Sequence, residues 1–339
     1  MSLSLDTAAL EAWAKTHLPA LGGPVTATKF SGGQSNPTYM LDTPSGRFVL
    51  RRKPPGVLLK SAHAVDREYR VQKALADTDV PVPKMHALCE DDSVIGSAFY
   101  IMDHVEGRNF DQPSLPDVAP EARGPLIDAM NRTLVAIHSV DLDASGLADY
   151  GPPGHYCERQ TERWTKQYRA TATEDIAEMD ALIDWLFANM PPDDGQRTLV
   201  HGDYRLDNLL FAPDAPRVAA VLDWELSTTG HPYADLAAVI MQWSMPAATE
   251  GRGLEGIDRA AHGLWSDRQF IDTYCERRGI PGIADFHFYL AFTYFRMAAI
   301  LQGVKKRALD GNASDPDRAL KLGTYVPFFA RSGLKAATQ

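Results

Sequence analysis

Residues 201–208 read His-Gly-Asp-Tyr-Arg-Leu-Asp-Asn, and residues 221–225 read Val-Leu-Asp-Trp-Glu. Both runs lie in a turn-rich stretch, Thr198–Trp224, which also holds two short β-like runs at Asn208–Phe211 and Val218–Leu222. An acid with an amide five residues later, and a further acid after an apolar run, can orient a hydroxyl and supply oxygen ligands to Mg²⁺. Taken alone, each acid could equally be a turn former or a helix cap without a role in chemistry. The ordered set favours a role in chemistry, and we expect the site in this stretch.

The first hundred residues alternate between turn signals and short β-like runs. Asp6 is predicted to cap a first amphipathic helix, and Ser61 to cap a second helix that runs to Ala76. Five strands are predicted around the second helix: Val25–Ser31, Thr38–Leu41, Arg47–Arg52, Met85–Cys89 and Ala98–Met102. This pattern predicts a small lobe with an antiparallel sheet.

Helical periods dominate from Pro120 onward. The predicted helices are Pro120–His138, Tyr156–Ala170, Glu174–Ala188, Tyr233–Trp243, Asp267–Arg278 and Asp285–Lys305. The predicted fold class is therefore α+β and bilobal. An N-terminal lobe occupies residues 1–102, a hinge residues 103–107, and a larger, mainly helical C-terminal lobe residues 108–339.

The composition argues against several classes of protein. The chain has a formal net charge of −10 and no block dense in Lys or Arg, so nucleic-acid binding is not expected. Three distant cysteines without C-x-x-C spacing argue against a disulfide framework or a zinc site. No run approaches the ~20 apolar residues of a membrane span, and no secretory signal is present. We therefore expect a cytoplasmic protein that binds neither nucleic acid nor membrane. Protein partners are not indicated.

Three motifs in sequence order resemble those of one enzyme family. Residues 201–208 resemble the H-G-D-x-x-x-x-N catalytic loop of the aminoglycoside phosphotransferase and choline kinase-like family. Asp223 resembles that family's counterpart of the protein-kinase D-F-G aspartate, and Gly230–Ala237 is similar to its G-x-P-x-x-D-L-A segment. The resemblance extends from near Val25 to near Ile300. It implies a protein-kinase-like fold and an ATP- and Mg²⁺-dependent kinase that phosphorylates a hydroxyl group of a small molecule.

The same resemblance implies roles for four polar residues. Asp203 is the expected catalytic base or hydroxyl-orienting residue. Asn208 and Asp223 are expected to hold Mg²⁺ on the nucleotide phosphates. Arg205 is expected to offset negative charge in the transition state.

Two further residues of these motifs are expected to support the loop. Asp235 is predicted to brace the catalytic loop by hydrogen bonds, and His201 is the loop's first residue. His138 ends an apolar helix and is interpreted as a packed histidine.

The nucleotide is expected to bind to the N-terminal lobe. The chain has neither a G-x-x-x-x-G-K-[ST] nor a G-x-G-x-x-G motif, which disfavours a P-loop NTPase. The family's phosphate-covering hairpin is resembled by Ser31, Gly32, Gly33, Gln34, Ser35 and Asn36, although a Gly-Gly hairpin is often only a turn. Arg51 matches the position of the phosphate-binding cation and is favoured, but Lys53 on the same strand face stays open. Glu68 resembles the cation's partner, or belongs to a solvated helix face.

The segment Met102–Gly107 resembles the hinge of this family. By that resemblance, adenine would hydrogen-bond to backbone groups near Asp103 and Val105. Such contacts leave the side chains free to vary.

The acceptor is expected to bind to the helical lobe. Arg159 and Arg163 are four residues apart on one helix face beside Trp164, and they could hold an anionic acceptor. The alternative is a solvated helix in which Glu158 and Glu162 balance the two cations.

A narrower resemblance concerns the acceptor's chemical class. Residues 33–37, 49–56 and 156–167 resemble the kinase domains that are joined to acyl-CoA dehydrogenases in longer proteins. This implies a hydroxyacyl-CoA or a hydroxy acid as acceptor. The alternatives are an aminoglycoside- or choline-type amino-alcohol kinase and a non-catalytic nucleotide-binding scaffold. A protein kinase is disfavoured, since residues 223–235 are too few for a long activation segment.

Overall fold

The computed structural model describes residues 5–30, 36–54, 64–247, 252–313 and 315–338. Within these ranges the chain forms ten strands and ten α-helices. The strands are β1 (Thr26–Lys29), β2 (Thr38–Thr43), β3 (Gly46–Arg52), β4 (Met85–Cys89), β5 (Phe99–Asp103), β6 (Arg108–Asn109), β7 (Thr198–Val200), β8 (Leu209–Phe211), β9 (Val218–Val221) and β10 (Thr228–Gly230). The helices are α1 (Thr7–His17), α2 (Val65–Ala74), α3 (Pro120–His138), α4 (Tyr156–Thr171), α5 (Ala177–Ala188), α6 (Tyr233–Trp243), α7 (Asp267–Arg278), α8 (Phe286–Leu309), α9 (Pro316–Gly323) and α10 (Val326–Ala336).

The chain divides into two compact units. The first consists of Met1–Phe110, Asp141–Ala148 and Asp207–Ser227, and the second of Asp111–Val140, Asp149–Leu206 and Thr228–Gln339. The sequence predicts instead that every residue after 107 belongs to the C-terminal lobe. Residues 207–227 join the first unit because β8 pairs with both β6 and β9. Strands of two to four residues are too short for a sequence pattern to reveal such pairing.

The first unit is built on a five-stranded antiparallel sheet in the order β1-β2-β3-β5-β4. Successive side chains of a strand point to opposite faces. Phe48 and Leu50 of β3 therefore pack with Leu10 of α1, whereas Val49 packs with Val65 of α2 on the other face. Arg51 shares the face of Val49 and so faces α2.

The ends of the first elements follow their capping residues. The backbone N–H of Ala9 donates to Asp6 Oδ1 over 3.0 Å, so Asp6 caps α1 as the sequence predicts. The described part of α2 begins at Val65, and the predicted cap Ser61 lies outside the described residues. So does Ser31, the predicted end of the first strand.

The second unit is organised around α8. This helix packs against α4, α5, α6, α9 and α10, and its buried residues include Phe288, Phe292 and Phe295. A helix that is apolar on several faces needs neighbours on each of them. Sequence patterns predict neither α9 and α10 nor the two-stranded β7–β10 ladder. Among the described residues, no helix is both long and apolar enough to cross a membrane.

Candidate active site

Arg51 is the centre of a buried ionic network in the first unit. Its Nε lies 2.8 Å from Glu68 Oε2, and its Nη2 lies 2.7 Å from Asp223 Oδ1. Glu225 Oε2 lies 3.7 Å from the same Nη2. Burial alone would lower the pKa of Arg51, but Glu68, Tyr100 and the other two acids raise it overall. The guanidinium therefore stays charged and holds the acids together.

Glu68 is fixed from its other side by neutral donors. Its side chain is 1% exposed. Asn36 Nδ2 donates to Oε1 over 2.7 Å, and the Tyr100 hydroxyl donates to Oε2 over 3.1 Å. Burial raises the pKa of Glu68, while Arg51 opposes this. A buried carboxylate with its lone pairs used in this way is a rigid partner for Arg51.

Two sequence predictions for the nucleotide lobe can be compared with this network. Asn36, the last residue of the predicted phosphate-covering hairpin, is fully buried, and its amide donates a hydrogen bond to Glu68. The other five predicted hairpin residues, 31–35, lie outside the described residues. Lys53 is a third exposed, and its Nζ lies 3.7 Å from Asp66 Oδ1. Arg51, and not Lys53, thus pairs with both Glu68 and Asp223.

Asp223 follows β9 in a left-handed backbone conformation, with φ 62° and ψ 61°. Aspartate tolerates this region better than most residues. The turn continues as a 3₁₀ helix, Trp224–Leu226, and the buried Trp224 indole donates to the carbonyl of Val221 over 3.0 Å. This sharp bend directs the Asp223 carboxylate towards Arg51.

Asn208 is held next to Asp223 by the backbone. The N–H of Leu222 donates to the carbonyl of Asn208 over 2.8 Å, directly beyond the last β8–β9 pair. Asn109 Nδ2 donates to the carbonyls on both sides of Asn208, those of Asp207 and Leu209, over 2.7 and 3.1 Å. The structure thus brings the two predicted metal ligands together within one unit.

The donors at Asn208 and Asp223 suit a hard cation. They are an amide and a carboxylate, the oxygen ligands that Mg²⁺ prefers. Asp223 uses Oδ1 for Arg51, and no hydrogen bond or ion pair from the described residues reaches its Oδ2. No group of three or more His, Cys, Asp or Glu in the described ranges could hold a metal ion.

The catalytic-loop motif lies mostly in the second unit, where Asp235 holds it. Asp235 accepts hydrogen bonds from the backbone N–H groups of His201 over 2.6 Å and of Gly202 over 2.9 Å. Burial would raise the pKa of Asp235, but His138 and the hydrogen bonds outweigh it and lower the pKa overall. Asp203 and Arg205, in the same unit, are both partly exposed.

Residues behind the loop complete this support. His201 is fully buried, and its Nδ1 accepts from the N–H of Asp203 over 3.3 Å. The hydroxyl of Tyr204 donates to the carbonyl of Met130 over 2.7 Å. Arg296 Nη2 donates to the carbonyl of Gly202 over 2.9 Å. The backbone on both sides of Asp203 is therefore fixed.

The predicted hinge follows β5 in the first unit. The N–H of Asp103 donates to the carbonyl of Lys84 over 2.9 Å, and Asp103 Oδ1 lies 2.5 Å from His86 Nε2. Val105 is partly buried, and its backbone forms no hydrogen bond with the described residues.

The three predicted acceptor residues lie on α4 but have different neighbours. Arg159 donates to the carbonyls of Pro153 and Gly154 and lines a cavity of about 300 Å³. Arg163 and Trp164 do not line that cavity. Instead the Arg163 guanidinium lies 5.5 Å from the centroid of the Trp164 ring, and the indole N–H donates to Gln160 Oε1 over 3.1 Å.

Comparison with known proteins identifies the family. A family model described as "Phosphotransferase enzyme family" matches residues 26–272. The chain belongs to this family.

Two curated relatives of this chain are longer proteins. It is 44% identical to acyl-CoA dehydrogenase family member 11 of Rattus norvegicus, over 97% of this chain and 43% of the relative. It is 48% identical to acyl-CoA dehydrogenase family member 10 of Mus musculus, over 86% of this chain and 27% of the relative. The chain thus spans less than half the length of these curated relatives.

Solved structures share the fold along the whole chain. A putative aminoglycoside phosphotransferase from Ralstonia eutropha superposes with a TM-score of 0.90 at 49% identity and covers 99% of both chains. Aminoglycoside phosphotransferase APH(4)-Ia, in a complex with ADP and hygromycin B, superposes with a TM-score of 0.64 at 16% identity, covering 97% of this chain and 98% of that chain. The second likeness supports the protein-kinase-like α+β fold.

Sequence reasoning assigns no role to three residues of the networks described above. Glu225 lies two positions after Asp223 in the motif, and this spacing is its only signal. Asn109 has none, because its contacts depend on a two-residue strand. Arg296 is the one charge inside the apolar stretch Phe286–Leu301, and a lone charge in a buried helix is a usable signal.

The free energy of unfolding is expected to fall as the pH drops below about 6.5, in part through His138. Burial lowers the pKa of His138, Arg278 acts in the same direction, and Asp235 only partly opposes them. Below the ordinary pKa the unfolded chain binds a proton that the folded chain excludes, so stability rises with pH and is lost on acidification. His138→Gln does not titrate. In urea unfolding at about pH 7.5 and about pH 5.5, the wild type should lose more stability than this variant. Equal losses would contradict the assignment.

Proposed function

We propose that this phosphotransferase transfers the γ-phosphoryl group of ATP to a hydroxyl group of a hydroxy acid or a hydroxyacyl-CoA. The observation that carries the proposal is the Arg51 network. A buried cation between Glu68 and Asp223 is the arrangement that a kinase needs to place a phosphate-binding charge beside a metal-binding acid.

The residues of the first unit would bind the nucleotide. Glu68 keeps the Arg51 guanidinium in place for the phosphates. Backbone groups near Asp103 and Val105 would accept the adenine edge. Asn208 and Asp223 would hold Mg²⁺, which when bound neutralises charge on the phosphates.

The residues of the catalytic loop would act on the acceptor. Asp203 would accept a hydrogen bond from the attacking hydroxyl and orient it for in-line attack. Arg205 would offset the charge that develops on the transferred group. Positioning and electrostatics then supply the rate enhancement, with no covalent intermediate on the protein.

The acceptor class is supported by the names of the relatives. Proteins that are 44% and 48% identical to this chain are acyl-CoA dehydrogenase family members, and this chain corresponds to less than half of each. A kinase region in such a protein would act on an acyl-CoA or acid that carries a hydroxyl group. An amino-alcohol acceptor is the second candidate, favoured by the 49% identity to a putative aminoglycoside phosphotransferase.

ADP release from Mg-ATP across a panel of acceptors tests the proposal. The panel contains hydroxyacyl-CoAs, hydroxy acids, choline-like amines, sugars and aminoglycosides. We expect ADP release and a phosphorylated product, detected by mass spectrometry, only with the first two classes. Turnover confined to aminoglycosides or choline-like amines would favour the second candidate. Tight ATP binding without any turnover would favour a non-catalytic scaffold.

A further inference from the structure

Two arginines from different helices contact one tryptophan in the second unit. The guanidinium carbons of Arg163 on α4 and Arg296 on α8 lie 5.5 Å and 5.9 Å from the centroid of the Trp164 ring. Arg163 is exposed, whereas Arg296 and Trp164 are partly buried. A guanidinium beside an aromatic ring keeps N–H groups for other acceptors.

These two arginines have no acidic partner in the part of the chain that the structure describes. Arg296 donates one hydrogen bond, to the carbonyl of Gly202, and Arg163 donates none to those residues. The chain contains more acidic than basic side chains, with 44 Asp and Glu against 34 Lys and Arg. Arg169, on the same helix as Arg163, does pair with an acid, Asp180. A guanidinium offers five N–H donors, so most donors of this arginine pair are not used by the described residues.

Of the two arginines, Arg296 adjoins the catalytic loop. Gly202, which accepts the hydrogen bond from Arg296, immediately precedes Asp203. A molecule whose anionic group binds to Arg296 would therefore have its remaining atoms beside the residue that orients the hydroxyl. Arg159 does not share this position, because its guanidinium donates to Pro153 and Gly154.

We propose that Arg163, Trp164 and Arg296 form the site for an anionic group of the acceptor, a carboxylate or a phosphate. The proposal rests on the proposed function, since it assumes that the acceptor hydroxyl meets Asp203. A carboxylate would come from a hydroxy acid, and a phosphate from the nucleotide part of a CoA thioester. Both present oxygens that two guanidinium groups can bind.

Calorimetric titration of the protein loaded with Mg-AMP-PNP tests the site without turnover. The probes are 3-hydroxyoctanoate, its neutral methyl ester and 3-hydroxyoctanoyl-CoA. The variants are Arg163→Gln and Arg296→Gln, with Arg169→Gln as the control that removes the same charge elsewhere on α4. Arg296→Lys keeps the positive charge and an N–H donor on the side chain.

At least one anionic probe should bind to the wild type more tightly than the ester. Arg296→Gln should weaken the binding of that probe about 10- to 100-fold, the range for a lost hydrogen bond to a charged group. Arg163→Gln, at an exposed residue, should weaken binding of the same probe about 1.5- to 5-fold. Arg296→Lys should recover part of the loss, and Arg169→Gln should bind like the wild type. If the glutamine variants bind the free acid more weakly, the group bound by the arginines is a carboxylate. If they bind only the thioester more weakly, the group is a phosphate.

Two results would overturn the inference: the wild type binds neither anionic probe, or both glutamine variants bind them as the wild type does. Arg163 has no hydrogen bond to the described residues, so its variant tests the site even if Arg296→Gln disturbs the loop. The proposed function fails separately, when the wild type releases no ADP with any acceptor. Anion binding that depends on the arginines but brings no turnover would keep the site and reject the kinase.

Discussion

Asp203→Asn is expected to lower kcat by about 10²- to 10⁴-fold, the usual contribution of a positioned general base. An amide of the same shape can contact the acceptor hydroxyl but cannot take its proton. The backbone N–H groups of His201 and Gly202 donate hydrogen bonds to the Asp235 side chain. These bonds do not involve the Asp203 side chain, so the loop should stay in place. Steady-state kinetics with the acceptor found in the panel measure the fall in kcat. Nucleotide titration checks that the site still binds ATP.

Asp214→Asn is the matched control for this substitution. Asp214 is exposed in the turn between β8 and β9, and the same loss of charge there should leave kcat within about twofold, as for surface changes away from the site. If Asp203→Asn turned over like Asp214→Asn, Asp203 would not be the hydroxyl-orienting residue.

Arg51→Met is expected to destabilise the protein by about 3–5 kcal/mol, the cost of leaving one partner of a buried pair uncompensated. Glu68 would then be a buried carboxylate without its cation, and Asp223 would lose its closest partner. The substitution should also weaken ATP binding by about 10- to 100-fold, because the phosphates lose a charged donor. Urea unfolding and nucleotide titration measure the two effects.

Two further variants separate charge from packing. Arg51→Met combined with Glu68→Gln removes the unpaired charge and should recover part of the stability, but not the ATP binding. Lys53→Met should cost less than about 1 kcal/mol, because Lys53 is a partly exposed cation with a distant partner. A larger loss of ATP binding in Lys53→Met than in Arg51→Met would reverse the assignment of the phosphate-binding cation.

The sequence predicts the elements that local pattern decides. All five predicted sheet strands match the structure to within two residues at each end, since turn residues and period-two alternation mark them. Asp203, Asn208 and Asp223 are predicted because their residue types suit phosphoryl transfer and because their order resembles that of the family's motifs. Their joint role in one reaction stays a prediction.

Long-range partners could not be predicted. The sequence leaves Arg51 and Lys53 as alternatives on one strand face, and only the fold shows which one meets an acid 172 positions away. Asparagine is a residue type common in turns, yet the amide of Asn36 is buried against Glu68. The β7–β10 and β6–β8 ladders are too short for periodicity to register.

A crystal structure with Mg²⁺ and AMP-PNP bound is the most direct test of the central claim, that Asp203, Asn208 and Asp223 serve one metal-bound nucleotide. We predict oxygen atoms of Asn208 and Asp223 at about 2.0–2.1 Å from the metal, Arg51 on the phosphates, and the Asp203 carboxylate facing the γ-phosphate. A nucleotide bound elsewhere, or a metal held without Asn208 and Asp223, would contradict the account.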